Sequence, residues 1–480
     1  MNLSLCGFGL YFIVVGLIAA VSYLTTRKNP SSYGQVMLGN RSVNYVLTAL
    51  SAHASDMSDW LFMAFPAALY AHGLVSSWIA FGLIGGMWAT WSYVAPNLRK
   101  ATEKYNALTL SGYFEARFSD TSGFLRSSTA FICFFFFAVY IAAGLKGFGY
   151  LGESLFAIPY TYGIMIAIVA MFFYTMLGGY RALAWIDSFQ ALFLLAVILI
   201  VPCKAFLKVG GMASIIHAAD VHGISLSFIP STWVGLLNAL LLALSWSVGY
   251  FGMPHIITKF MGISDVKQMR KAQYIGLSWQ ALVMSAAGCV GVIGIAYFPQ
   301  VLANKELVFL EMVKDLFSPL ITGIILSAVA GATLSVIAAQ VLVLVSVIAE
   351  DLYHKSFRPQ ASDSELVWVY RISILVIGCL SMLVSLDRST TIQELVYYAW
   401  SGLGSSFGPL VLLSLHSTKI NRYGAAAGIV FGGLVAASWH ILGKSYILAL
   451  SGIDMPAAIP GFIMSMSAIY LVSYLTKLKK

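Results

Sequence analysis

The sequence predicts an all-α polytopic membrane protein, and three observations carry that prediction. Of the 480 residues, 59% are hydrophobic and 10% charged; a soluble domain carries roughly 25% charged residues. Long apolar stretches recur from end to end, among them "LSLCGFGLYFIVVGLIAAVSYL" at 3–24 and "LFLLAVILIVPC" at 192–203. Runs of about 18 or more apolar residues fit a hydrocarbon core roughly 30 Å thick. The runs show no alternation of apolar and polar positions, which excludes a β-barrel.

Taken in order, the first stretch has no basic residue ahead of it and an apolar part too long for a signal peptide, so it reads as a spanning helix at 3–25. Twelve further candidate spans follow at 44–71, 75–97, 124–149, 158–180, 184–207, 231–257, 272–298, 317–349, 366–386, 389–416, 422–442 and 456–476, about thirteen in all. Cys6, Cys133, Cys203, Cys289 and Cys379 fall in apolar segments without metal-ligand spacing and read as small buried hydrophobes. The formal net charge of +9 is an orientation signal. Of the 28 lysines and arginines, 21 fall in one set of loops, Arg41, Arg99, Lys259 and Lys355 among them. The excess places the N-terminus outside and the C-terminus in the cytoplasm. Nucleic acid is not an expected partner, the lipid bilayer is, and nothing points to an obligate protein partner. No segment reads as a soluble domain or a sensor output, and the last span runs directly into "TKLKK".

The polar residues are concentrated where a membrane protein least tolerates them. "SAHASDMSDW" at 51–60 puts His53, Asp56 and Asp59 inside the span at 44–71. Charged groups there are costly and face a cavity or a partner, and serine and aspartate compete for the helix's own hydrogen bonds. An unwound turn is expected. The span at 231–257 carries Gly249, Gly252 and Pro254, and proline removes a backbone donor, so a second break is expected near 249–254. The two interrupted spans stand five spans apart. That spacing suggests two five-helix repeats of opposite topology, with an ion and a solute held where the breaks meet. The divisions expected are 1–43, a first span with its cytoplasmic loop; 44–208, the first repeat; 209–416, the second; and 417–480, two additional C-terminal spans.

"LSAHASDMSDWLFMAFPAAL", "YNALTLSGYFEARFSD", "LGGYRALAWIDSFQA", "GYFGMPHI", "IAEDLYHK", "SELVWVYR" and "YAWSGLGSSFGP" resemble the sodium:solute symporter family in its proline-carrying branch, from about residue 10 to the last span. The resemblance implies a LeuT-type fold, location in the bacterial inner membrane, a small-molecule substrate, no cofactor, and sodium-coupled uptake of a small amino acid, proline first. It implies a sodium site from the carbonyls of Ala54, Met57 and Ala332 and the hydroxyl of Ser335, an all-oxygen cage that suits a hard cation. It implies a substrate pocket lined by Trp60, Ala64, Tyr140, Trp246, Tyr250 and Pro254, whose aromatic walls suit an apolar ring. Arg41 and Ser58 also match functional positions.

Departures from the family pattern keep the coupling ion open. Val336 stands where a second hydroxyl is usual, and Ala338 and Ala339 replace hydroxyls that would face Asp187 in an additional sodium site. His53 and Asp59 stand where the proline carriers have glycines. Asp59 can supply an oxygen or accept a proton, so proton or mixed coupling, with another amino acid or a carboxylate as cargo, is the alternative. A transporter-like sensor would need an output domain. An enzyme is not expected, since no nucleophile–base pair or cofactor loop is evident.

Overall fold

The computed structural model describes residues 3–26, 38, 41–177 and 180–477. Arg27, Lys28, Lys479 and Lys480, which enter the charge count, lie outside them. In chain order the α-helices are α1 (Leu3–Thr26), α2 (Tyr45–Ala54), α3 (Asp59–Phe62), α4 (Ala64–His72), α5 (Trp78–Ala89), α6 (Ala95–Lys104), α7 (Leu110–Phe118), α8 (Phe124–Phe156), α9 (Tyr160–Leu177) and α10 (Tyr180–Lys208). They continue as α11 (Met212–Val221), α12 (Trp233–Gly249), α13 (Pro254–Met261), α14 (Met269–Tyr297), α15 (Val308–Leu316), α16 (Pro319–Ser346), α17 (Asp363–Ser385), α18 (Ile392–His416), α19 (Arg422–Trp439), α20 (Ser445–Ser451) and α21 (Ala458–Lys477). Among the described residues, strand pairing is limited to one isolated parallel bridge between Val43 and Ile263.

Among the described residues, seven helical segments are long and apolar enough to cross a membrane, and eight if α12 and α13, bent by 50° at their junction, form one span. Other stretches that read as spans are also helical, but shorter, interrupted or more polar, such as α9, α18 and α19. Helix α16 is the centre of the molecule. Every residue from Ile325 to Leu342 is buried, as a helix apolar on all faces must be. It packs on α1, α2, α3, α8, α9, α10 and α13.

Both expected breaks are present. Asn44 caps α2 by accepting from the Leu47 amide at 2.9 Å. The helix stops at Ala54, where the Ser55 amide still reaches Ser51 O at 3.0 Å but the Asp56 amide turns back to His53 O at 3.2 Å. Helicity resumes at Asp59. The second break spans 250–253, and Pro254 opens α13 at its first turn, where the missing N–H costs nothing. Sequence and structure differ over the cysteines. Cys133 is buried, but Cys203, Cys289 and Cys379 are exposed on the outer faces of apolar helices, where lipid accepts a small apolar side chain as readily as a protein core does.

The second break packs backbone against backbone. A Cβ on Gly252 would lie 2.5 Å from Gly408 N and 2.8 Å from Leu403 O of α18. No side chain there can move aside. Gly252→Ala is therefore expected to destabilise by about 1–3 kcal/mol through overpacking, read as a lower melting temperature of the detergent-solubilised protein. Gly85→Ala, in α5 with no atom near its would-be Cβ, is the control and is expected to hold or raise it.

Candidate functional site

Asp187 of α10 ties four elements together. Its Oδ2 accepts from Ser51 Oγ of α2 at 2.6 Å and from Lys259 Nζ of α13 at 2.9 Å. Its Oδ1 accepts from Ser335 Oγ of α16. All four residues are buried. A buried ion pair is tolerable only when hydrogen bonds satisfy the rest of each charge, and the two serines do this for the carboxylate. Read from sequence, Lys259 counts as a loop charge. The structure instead buries its side chain to 5% exposure, because α13 continues past Pro254 to Met261.

A second knot joins the breaks themselves. Tyr250 Oη donates to Asp56 Oδ2 and accepts from Gln280 Nε2 of α14 at 3.0 Å. Trp60 Nε1 donates to Asp56 O at 2.7 Å. The Trp60 indole stacks on Trp246 with ring centres 6.1 Å apart, and Trp400 Nε1 donates to Trp246 O at 3.0 Å. Trp60, Ala64, Phe65, Ile79, Trp246, Gln393 and Val396 line one cleft.

Of the residues expected at a sodium site, Ala54 ends α2 and Met57 lies in the unwound turn. The Leu61 amide, which a continuous helix would direct to Met57 O, binds Ser58 O at 3.2 Å. Ala332 and Ser335 lie one turn apart on α16, the same face of a helix, and α16 touches both α2 and α3. Val336 is buried beside Ser335. Asp59 presses against Gly147 of α8, where a Cβ would lie 2.1 Å from Asp59 Oδ2. Neither of its carboxylate oxygens has a hydrogen-bond partner among the described residues.

The expected residues do not all meet in one place. His53 accepts from Trp91 Nε1 at 3.1 Å and lies against Gly276, which places its proton on Nδ1 if the ring is neutral. Tyr140 packs edge-on against His255 with ring centres 5.8 Å apart. Pro254 lies with His255, Thr258 and Lys259 in a separate pocket nearer the Asn44 end, not in the Trp60–Trp246 cleft. Sequence reasoning missed Ser51, Lys259, Gln280 and Trp400. Two of them carried a signal: Ser51 opens the polar stretch at 51–60, and Lys259 stands only five residues past the helix-breaking proline.

A broader hollow at the His72 end is lined by Ala64, His72, Tyr150, Glu306, Arg388 and Gln393. Its loop carboxylate, Glu306, accepts from the Ile392 amide at 2.7 Å and so caps α18. Burial pushes the Glu306 carboxyl up to about 7, while the Ile392 and Gln393 amides pull it down.

An all-helical, multi-pass membrane protein whose two interrupted helices meet at a buried polar centre has the build of a secondary transporter. Residues 36–432 match the Sodium:solute symporter family, and the chain belongs to that family. It is similar to the Osmoregulated proline transporter OpuE of Bacillus subtilis (strain 168), with 38% identity over 98% of this chain and 94% of that protein. It is similar also to the Sodium/proline symporter of Escherichia coli (strain K12), with 36% identity over 99% and 93%. Its fold is like that of a solved Na+-coupled sialic acid symporter in a substrate-bound outward-open state, with a TM-score of 0.76, 18% identity, and coverage of 99% of this chain and 98% of that one.

The Asp56 knot makes a stability prediction. Tyr250→Phe leaves Asp56 Oδ2 and the Gln280 amide unpartnered in a buried setting, and is expected to cost about 1–3 kcal/mol. Gln280→Met keeps the tyrosine donor on Asp56 and is expected to cost less. Thermal unfolding of the purified variants ranks them.

Proposed function

We propose that this protein is a secondary active transporter that couples sodium entry to uptake of a small amino acid, proline first, by alternating access. The observation that carries the reading is the unwound turn at 55–58, held against α16 and opening beside an aromatic cleft. The names of its relatives supply the proline. In this reading Ala54, Met57 and Ala332 give carbonyl oxygens and Ser335 a hydroxyl oxygen to sodium. A hydroxyl that donates its proton to Asp187 keeps its lone pairs for a cation. Trp60, Ala64, Trp246 and Tyr250 form the substrate wall, with Tyr140 and Pro254 on its Asn44 side. The chain then crosses the bacterial inner membrane about thirteen times, N-terminus outside and C-terminus in the cytoplasm, with residues 44–208 and 209–416 as inverted repeats.

Sodium binding between the first interrupted helix and α16 fixes both in the state that completes the cleft, so the amino acid binds more tightly afterwards. Linkage makes the effect reciprocal. The inward membrane potential contributes about 2.3 kcal/mol per charge per 100 mV. A proton-coupled reading is favoured by one observation, the buried Asp59 carboxylate without a hydrogen-bond partner.

Proteoliposomes loaded for counterflow, with a panel of labelled amino acids, test this directly. Proline exchange that requires sodium supports the proposal; proline uptake driven by a pH gradient with no sodium present supports the proton reading. Within the cage, Ser335→Ala is expected to raise the sodium concentration for half-maximal uptake about tenfold, because one oxygen ligand to the ion is lost. Val336→Thr, which adds a hydroxyl beside Ser335, is expected to lower it.

A further inference from the structure

Helix α14 carries an outward stripe that is apolar along its length and cationic at its Asn44-side end. With the short 3-10 turn ahead of it, the helix forms one apolar span, Val266–Tyr297. Tyr274, Ser278, Leu282, Ser285 and Cys289 are exposed at spacings of three or four residues, so they share one face. Tyr274 is 60% and Leu282 52% exposed, and on a spanning helix such a face meets lipid. Arg270 continues the stripe one turn past Tyr274. Its Nε donates to Tyr274 Oη at 3.3 Å, and its guanidinium lies 5.9 Å from the centre of that ring. Lys271 stands 5.8 Å over the ring of Tyr45, the first residue of α2. Lys267, also exposed, lies one turn earlier.

These charges have no counterpart in the protein. Among the described residues, Lys267, Arg270 and Lys271 enter no ion pair. Asp265 accepts from the Lys267 amide at 2.9 Å and so serves its own turn, and Glu103 pairs with Arg99 at 2.8 Å. The first turn of α14 holds no acidic residue, although cations there oppose the helix dipole. Exposed tyrosines on a span mark the headgroup level, which puts Arg270 and Lys271 at the height of the lipid phosphates.

Resting on the membrane orientation proposed above, we propose that Arg270 and Lys271, flanked by Lys267, bind the headgroup of an anionic phospholipid of the cytoplasmic leaflet. The acyl chains lie along the Tyr274–Leu282 stripe and the phosphate rests on the two cations. A guanidinium presents forked donors that match phosphate oxygens, and basic groups at this level attract anionic headgroups. The occupant is a lipid and not an acidic protein, because Arg270 stands on the stripe that lipid already covers. Lys271 also covers Tyr45, so a bound headgroup braces the start of the first interrupted helix against α14, and binding stabilises the fold at that junction.

In the test, purified full-length protein in neutral detergent is titrated with dioleoylphosphatidylglycerol, and the melting temperature is followed without sodium or substrate. The wild type is expected to show a saturable rise that neither dioleoylphosphatidylcholine nor inorganic phosphate reproduces. Arg270→Gln/Lys271→Gln should need at least about tenfold more phosphatidylglycerol for the same rise. Arg270→Lys/Lys271→Arg keeps both charges and should stay close to wild type. Lys100→Gln/Lys419→Gln removes two exposed cations of the same membrane face outside the stripe, and should bind as wild type does. If the glutamine pair lowers stability before lipid is added, the number of lipids retained in native mass spectrometry gives the same comparison. The proposal is overturned if the glutamine pair binds phosphatidylglycerol as wild type does, or if the Lys100/Lys419 control loses as much. It is overturned equally if phosphatidylcholine or free phosphate stabilises to the same extent. An impermeant maleimide that labels Lys267→Cys, and not wild type, from outside intact cells would sink the orientation and with it the choice of leaflet. A wild type without sodium-dependent proline uptake would sink the functional reading alone, since the melting curves involve neither sodium nor proline.

Discussion

A carbonyl that loses its helical partner within an apolar slab must find another, and this structure is organised around that constraint. Irregular backbone at membrane depth persists only where protein or a polar cavity lines it. Each interruption is accordingly surrounded by polar groups from other helices. Asp56 O receives the Trp60 indole, Trp246 O receives the Trp400 indole, and Asp56 receives the Tyr250 hydroxyl. Aromatic residues with a polar tip serve well here, because one end packs as a hydrophobe while the other donates a hydrogen bond. The aromatic cleft and the broken backbone are consequences of the same requirement.

The basic residues meet that requirement at the helix ends. Arg41 donates to Thr102 O, Ala107 O and Met261 O at 3.0, 2.9 and 3.3 Å, so it stands at the C-termini of both α6 and α13. Lys204 reaches Leu316 O, the last residue of α15, at 2.7 Å. Lys146 reaches Asp387 O and Thr390 O beyond the end of α17 at 2.5 and 2.6 Å. Cations belong at helix C-termini, where unpaired carbonyls concentrate negative charge. A charge count treats such residues as markers of a membrane face; their contacts make them fasteners between helices.

The composition and apolar runs made the helical membrane class legible, and the clusters at 51–60 and 249–254 made both breaks legible, because glycine, proline, serine and aspartate act locally on the backbone. What was not legible depends on contacts between distant segments. Nothing near Ser51 announces that it faces Asp187, 136 residues away. Nothing near Gln280 announces Tyr250. Lys259 was misread because its burial depends on how far α13 continues after the break, and on a carboxylate contributed by α10. The exposed cysteines were misread for the opposite reason: in a membrane protein an apolar neighbourhood in sequence does not distinguish the lipid face from the core.

These contacts also constrain how the molecule can move. Two buried aspartates join the interrupted helices, at the breaks through Asp56 and Tyr250 and nearer the Asn44 end through Ser51, Asp187 and Lys259. A motion that separated one interrupted helix from the other would have to strip a buried aspartate of its donors at both places. Motion of the pair as one body leaves the Asp56–Tyr250 link intact. It then places the change at Asp187, whose other ties run to α16 through Ser335 and to its own helix α10. Ser335 lies on that boundary, so an ion bound there would be sensed by whichever of the two bodies moves.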